Sequence, residues 1–319
     1  MYEIYTSGAD DWNNHIYKHK VSYRSLFEWG EYKESMGWKV LRFKFIDDSN
    51  KKYLFQCTYK AKSFFGAFYI PDGSINIFKD IKILKLFLKK YTNTKLLYIR
   101  IDDSKTTLKV NNNNTHNRAW TRPWYRVNNS LSAVLNTSEY VGTDNTLSNN
   151  YKKNLKKSLK FQNNIIITNN PDPNDLVEIT TKMNEHKEME IHSFRDFDMM
   201  NKKLKKFIKF IVIYDSNENP ISYRGALIIH NYAWELCAAS SFIGRKQSAG
   251  YKTMHEICKS FNALNIKNYH LGALSPKMQG VSDFKLSTGS KPITYTGEYE
   301  YSNIPFVKYI INSIIFLTL

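Results

Sequence analysis

Cysteine is scarce: Cys57, Cys237 and Cys258 are the only three in 319 residues. An odd number without CxxC spacing argues against a disulfide framework and fits a reducing compartment. Cys237 lies inside an apolar run and reads as a core residue. Metal-ligand spacing is missing too. His186 and His192 have Glu185 and Glu190 nearby but nothing of the HExxH kind, so no metal is expected. There is no GxSxG elbow and no Ser/His/Asp order. His255, on an expected helix, could face either core or solvent. The opening Met-Tyr-Glu-Ile-Tyr has neither the basic start nor the apolar core of a secretory signal, which points to a cytoplasmic location. No apolar run is long enough to span a bilayer. The most apolar tract, FVKYIINSIIFLTL (306–319), is expected to be a terminal core strand, with membrane-surface contact as the lesser reading.

Acidic residues are the other shortage. Against 46 Lys and Arg stand 29 Asp and Glu, giving a net charge of +17 and a pI near 9.5. An anionic partner follows: nucleotide, RNA, phosphosugar or acidic membrane. A compositional bias toward Lys and Asn is the competing explanation, and clustering of the lysines separates the two. The 42% hydrophobic and 15% aromatic content supplies real cores and excludes a disordered chain.

The stretch 211–289 organises what is present. Two apolar runs, IVIYD and ISYRGALIIH, are followed by YAWELCAAS, then by RKQSAGYKTMHEICKSFNAL, a loop entering a helix, and by the strand NYHLGAL. This order suits a sheet supporting a helix whose N-terminus faces a pyrophosphate or acyl group. The same order occurs earlier. Strands are expected at 38–46, 52–60 and 64–70, a helix at 80–91 and a strand at 96–102, an architectural duplication without residue-level repeats. Residues 9–36 read as helical, Ser22 capping a helix whose apolar face carries Leu26, Trp29 and Tyr32. The asparagine tract 111–114 is a loop. Trp120, Pro123, Trp124 and Tyr125 would form a stacking platform if exposed and ordinary core if buried, and core is favoured. Residues 136–150 look like a domain junction.

Two stretches concentrate lysine. In 148–161, Tyr151, Leu155 and Leu159 make an apolar stripe, while Lys152, Lys153, Lys156, Lys157 and Lys160 cover the rest. Like charges at i,i+4 oppose the helix unless an anion is present, so anion binding is favoured over a merely solvated face. The second, NKKLKKFIKF (201–210), is expected to be a helix burying Leu204, Phe207 and Ile208. A helix is also expected over 174–188. The sharpest local feature is Gly280-Val281-Ser282-Asp283-Phe284-Lys285, where a lysine after an aromatic could stabilise an oxyanion or phosphate. The plainer alternative is a surface lysine beside a core phenylalanine.

The loop Arg245 to Tyr251 resembles a degenerate pyrophosphate loop of the GNAT acyltransferases: Arg245 and Gly250 fit, and Ser248 replaces the first glycine. Four further stretches resemble the Fem family, GNAT-fold aminoacyltransferases of peptidoglycan cross-bridges. SLFEWGEYKESMGW (25–38) is similar to its Q-S-x-x-W-x-x-V-K helix, with Trp29 and Lys33 in register. Tyr69-Ile70-Pro71-Asp72-Gly73 is similar to its Y-I-P-x-G turn, NNYKKNLKKSLK to the basic helix opening its second domain, and GVSDFKLSTG to its G-x-x-x-F-K-x-x-x-G segment. Ser25 and Asp72 depart from the pattern, and the hairpin that grips transfer RNA in some members is not evident.

The resemblance implies an α+β fold of two GNAT-like domains, each a mixed, mostly antiparallel sheet flanked by helices. The expected bounds are 1–145 and 146–300, with 301–319 returning to the first. It implies transfer of an acyl or aminoacyl group from acyl-CoA or aminoacyl-tRNA to an amine. The acceptor would be a nucleotide- or lipid-linked amino sugar or peptide, with transfer RNA as a partner and a peripheral station at the inner face of the membrane. Lys285, Phe284 and Asp283 would lie at the transfer site, with Glu235 as the other candidate base. Lys33, Trp29, Tyr69, Lys152, Lys153 and Lys156 would bind substrate, and Arg245, Ser248, Gly250 and Tyr251 the donor. The alternative is a non-catalytic basic protein that binds RNA or an anionic membrane through its lysine helices.

Overall fold

A computed structural model describes residues 1–19, 22–106, 119–140, 147–184 and 192–318. His186, Glu185, Glu190 and the asparagine tract therefore lie outside the described residues. The chain divides into two compact units, Met1–Ser130 with Thr294–Leu319, and Leu131–Ile293. The first opens with β1 (Tyr2–Ile4), α1 (Ala9–His19), α2 (Phe27–Ser35), β2 (Lys39–Ile46), β3 (Lys52–Lys62) and β4 (Phe65–Pro71). It continues through α3 (Ile81–Thr92) to β5 (Leu96–Thr106). The second holds β6 (Leu131–Asn136), α4 (Asn149–Ser158), β7 (Asn164–Thr168), α5 (Pro173–Asn184), α6 (Phe194–Leu204) and β8 (Ile208–Tyr214). After these come β9 (Pro220–Ile229), β10 (Tyr232–Ser240), α7 (Phe242–Lys246), α8 (Ala249–Ala263), β11 (Asn268–Ala273) and α9 (Gln279–Ser287). β12 (Lys291–Ser302) and α10 (Pro305–Thr318) return the chain to the first unit.

Within the first unit the strand order is β1-β2-β3-β4-β5-β12, and every pair is antiparallel except β4–β5. Within the second it is β6-β11-β10-β9-β8-β7, antiparallel except β10–β11. Each parallel pair is joined by a helix, α3 or α8, because a parallel connection needs a crossover. This is the duplicated meander, helix and strand. β6 pairs with β11, and that attaches Leu131–Asn136 to the second unit.

Alternation along β5 divides the first unit into two faces. Leu97, Ile99 and Ile101 join Phe43, Phe68 and Ile70 and the inner face of α3 in one apolar cluster. Tyr98, Arg100 and Asp102 point the other way, into polar partners. In the second unit Ile211, Ile213, Met254, Ile257, Phe261 and Tyr269 are among the residues of a core between α8 and the sheet.

Five local expectations are corrected. Residues 201–210 are not one helix: α6 ends at Leu204 and β8 starts at Ile208. A Ser193/Asp196 capping box starts α6 early, and β8 gains ladders on both sides, with Phe210 to Ile213 buried. The C-terminal tract is a helix rather than a strand. Pro305 stands at its first position, and Asn312 is buried with its amide on the Lys308 carbonyl one turn back. Leu159 lies beyond the last turn of α4 and is exposed, leaving Tyr151 and Leu155 as the buried stripe. Ser22 makes no side-chain cap: its N–H and Oγ–H both donate to Asp72. Trp120 is buried with its indole N–H on the Phe78 carbonyl, whereas Trp124 is exposed.

Candidate functional site

β10 and β11 run parallel only as far as Trp234↔His270; among the described residues their ladder goes no further. Just beyond that point both strands are irregular. β10 shifts register against β9 between Glu235 and Cys237, and β11 shifts against β6 between His270 and Gly272. Such irregularities re-aim side chains and open backbone at sites. Gly272 has φ +76°, the left-handed region where a Cβ is strained. The strand end after it presents the Ala273 carbonyl to Lys285, whose Nζ donates at 2.9 Å.

Lys285 is buried on α9, and burial holds its pKa below the ordinary value of 10.5. Glu235 pushes that pKa up and Arg224 pushes it down, so the three charges act on one another. Arg224 is buried on β9 and pairs with Glu235 on β10; Tyr269 on β11 donates to the same carboxylate oxygen at 3.0 Å. Arg224 also lies over the Phe284 ring, 5.3 Å from its centroid. Its buried Nε has no hydrogen-bond partner among the described residues. With Arg224 and Glu235 neutralising each other, Lys285 leaves the cluster one positive charge. A buried, hydrogen-bonded cation suits a carbonyl oxygen that gains negative charge.

Phe284 packs into a group of three rings, 5.1 Å from Tyr251 and 6.2 Å from Tyr151, with Tyr251 and Tyr151 5.1 Å apart. Tyr151 shares a 2.9 Å hydrogen bond with Tyr140, which also reaches His255 Nδ1 at 3.3 Å. Burial raises the pKa of both tyrosines and lowers that of His255. Asp283 is exposed and accepts from Gln279 Nε2 at 2.6 Å, and its partners do not include Lys285.

The loop after β10 contains the short α7, capped by Ser241, and then Ser248 in the left-handed conformation at the start of α8. Ser248 is buried and meets Asn154 of α4 at 3.4 Å, while Arg245 is held by the Ser240 carbonyl at 3.1 Å. A Cβ on Gly250 would stand 3.3 Å from Ser240 Oγ, so the glycine allows the loop and helix to approach closely. Tyr251 thus links this loop to Phe284. On α4, Lys153 and Lys156 are exposed and Lys152 half-buried. The α4 lysines form no ion pair among the described residues.

In the first unit, Lys33 lies over Trp29 and Tyr32 at 5.1 and 5.4 Å from their centroids. Tyr69 donates to Asp102 at 3.1 Å and accepts from Asn128 at 3.0 Å; Arg24 also pairs with Asp102 at 3.1 Å. Burial raises the pKa of Tyr69 and of Asp102. The two departures from the Fem pattern prove to be partners: Ser25 Oγ donates to Asp72 at 2.6 Å. Asp72, itself at φ +56°, also takes bonds from Ser22 and Ser104. One carboxylate therefore ties the segment before α2 to β5.

Arg224 and Tyr269 were not found from the sequence. A charged residue inside ISYRGALII was the available signal, since a buried charge requires a partner. Among the described residues no cluster of His, Cys, Asp and Glu could hold a metal.

No protein-family model matches the sequence, and no curated protein matches it. Solved structures do. A structure described as FemX superposes with a TM-score of 0.80 at 12% identity, covering 97% of this chain and 100% of that one. L-PGS from Bacillus licheniformis gives 0.59 at 10%, covering 97% of each chain. A tandem GNAT protein from the clavulanic acid biosynthesis pathway gives 0.56 at 7%, covering 96% of this chain and 99% of that one. At these identities the likeness is one of fold. The chain has an α+β fold of two GNAT-like domains.

Proposed function

We propose that this chain is an N-acyl- or N-aminoacyltransferase acting on an amino group of a cell-envelope precursor, an amino sugar or peptide linked to a nucleotide or lipid. The observation that carries this reading is the meeting of Lys285 with Arg224, Glu235 and the Ala273 carbonyl where the β10–β11 ladder stops. The fold shared with FemX, L-PGS and a tandem GNAT protein supports the general class.

The acceptor amine attacks the carbonyl of a thioester or of a transfer-RNA ester. The carbonyl oxygen takes up the charge, Lys285 stabilises it, and collapse expels the thiolate, or the ribose oxygen, which takes up the proton that the base removes from the amine. Phe284 holds Lys285 and Arg224 in place. Of the two carboxylates considered as base, Glu235 is the one whose charge acts on Lys285, and it is assigned the amine proton in preference to Asp283. Ser248, Gly250 and Tyr251 at the start of α8 line the donor, with Arg245 shaping the loop and the α4 lysines drawing in its phosphates. In the first unit, Lys33, Trp29 and Tyr69 are assigned substrate contacts, as the Fem resemblance implies. The protein works in the cytoplasm, at the inner face of the membrane.

Thermal shift with acetyl-CoA and separately with charged transfer RNA, each with an amino-sugar nucleotide, tests this, followed by mass analysis of the acceptor. Stabilisation by either donor with a mass gain on the acceptor amine supports the reading and chooses the donor. A response to neither, with only salt-sensitive binding to polyanions, refutes it and leaves a basic binding protein.

A further inference from the structure

We propose that the outer face of α10 docks on an anionic lipid membrane. The helix has two unlike sides. Inward, Asn312 is fully buried and its side chain bonds Arg100 and Glu300, so a polar network fixes the helix orientation. Outward, Phe306, Tyr309, Ile310, Ser313 and Leu317 recur at three- and four-residue spacing and are exposed, Phe306 at 66% and Leu317 at 79%. An apolar stripe turned to solvent is the reverse of what a core-facing helix presents. Trp124 and Phe316, their rings 5.8 Å apart and both about half exposed, extend it at one end. At the other end is Phe64, 60% exposed, whose carbonyl accepts from the N–H groups of Lys95 and Leu96. Asn303, just before α10, bonds the backbone of the same segment at Lys95 and Leu97.

Charge identifies what covers this face. Segments 62–64, 91–97, 119–130 and 303–317 contain no aspartate or glutamate and carry Lys62, Lys95, Arg126 and Lys308, beside Arg122, which is held by the Thr296 and Glu298 carbonyls over the Tyr299 ring. A second copy in a twofold dimer would set these cations against themselves. Anionic headgroups neutralise them, while the rings and branched side chains enter the acyl boundary; Trp, Tyr and Phe beside Lys and Arg form the interfacial set. A helix of 14 residues is roughly 21 Å long, short of the roughly 30 Å hydrocarbon layer, so α10 lies on the membrane rather than across it. No described helix is long and apolar enough to cross. The proposal does not depend on the transfer chemistry.

Co-sedimentation of the full chain with phosphatidylcholine vesicles, with and without phosphatidylglycerol, tests it. Binding is expected only with phosphatidylglycerol and weakens as salt is raised. Phe306→Ser with Leu317→Ser, both on the exposed side, should leave the melting curve unchanged and weaken binding at least ~30-fold. Lys95→Ala should weaken it about fivefold, the effect of one lysine near an anionic surface. Lack of vesicle binding, equal binding to both vesicle types, or unaltered binding by the double variant would overturn the proposal. So would sedimentation of a dimer that the double variant abolishes, which would assign the face to a second copy.

Discussion

Replacing Lys285 by methionine separates chemistry from architecture at the candidate site. The side chain is buried, its amine donates one hydrogen bond to the Ala273 carbonyl, and burial disfavours its charge. Methionine keeps most of the volume. The lost bond costs about 0.5–1.5 kcal/mol and the removed charge returns part of the desolvation, so stability should change by about 1 kcal/mol or less. An oxyanion donor is worth far more in the transition state, and kcat should fall ~100- to ~1000-fold, about 2.7–4 kcal/mol. The assay pairs turnover, read as mass gain on the acceptor with the donor that stabilises the protein, with a thermal melt. The parent's pH profile adds a second readout. If the ammonium form is required, activity declines as pH rises through the lowered Lys285 pKa, and Lys285→Arg removes that limb by staying charged. Turnover within threefold of the parent in Lys285→Met, with an intact melt, would refute the assigned role. A collapsed melt would instead show the lysine to be structural.

Three further outcomes are expected. Burial lowers the His270 pKa from 6.5 to about 4, so the unfolded chain takes up a proton that the folded chain refuses. Stability should be lost as pH falls from 6.5 toward 4, by up to about 3 kcal/mol, and His270→Gln should flatten that slope in denaturant titrations. Asp72→Ala strips the acceptor from Ser22, Ser25 and Ser104 and should cost about 2–3 kcal/mol, read as a lowered melting temperature; an unchanged melt would remove its tying role. Gly225→Ala drives a Cβ into the Phe210 ring and should destabilise by about 1–3 kcal/mol in the same assay.

Periodicity made most elements of the first unit legible. The runs near 38–46, 52–60 and 64–70 alternate as strands do, and 80–91 repeats at helical spacing; β2, β3, β4 and α3 occupy those places. The Phe284-Lys285 pair stood out because a lysine follows an aromatic beside a strand. Where both periods fit, the sequence misled. KKLKKFIKF satisfies a helix, yet β8 gains two ladders by starting at Ile208. The C-terminal tract is rich enough in apolar residues to fit a core strand as well as a helix; in the structure it is a helix whose Asn312 is held by Arg100 and Glu300.

The sequence by itself determined the composition of the cores, the positive charge, the duplicated order of strands and crossover helix, and the segment that carries Lys285. Only the tertiary structure decided that Arg224, Glu235, Tyr269 and Lys285 share one cluster, that Ser25 and Asp72 are partners, and that α10 turns its apolar stripe outward. The reason is physical. Local propensity and hydrophobic period act over a few residues, whereas a buried charge chooses its partner by position in space, across strands that neighbour one another only after the sheet has formed.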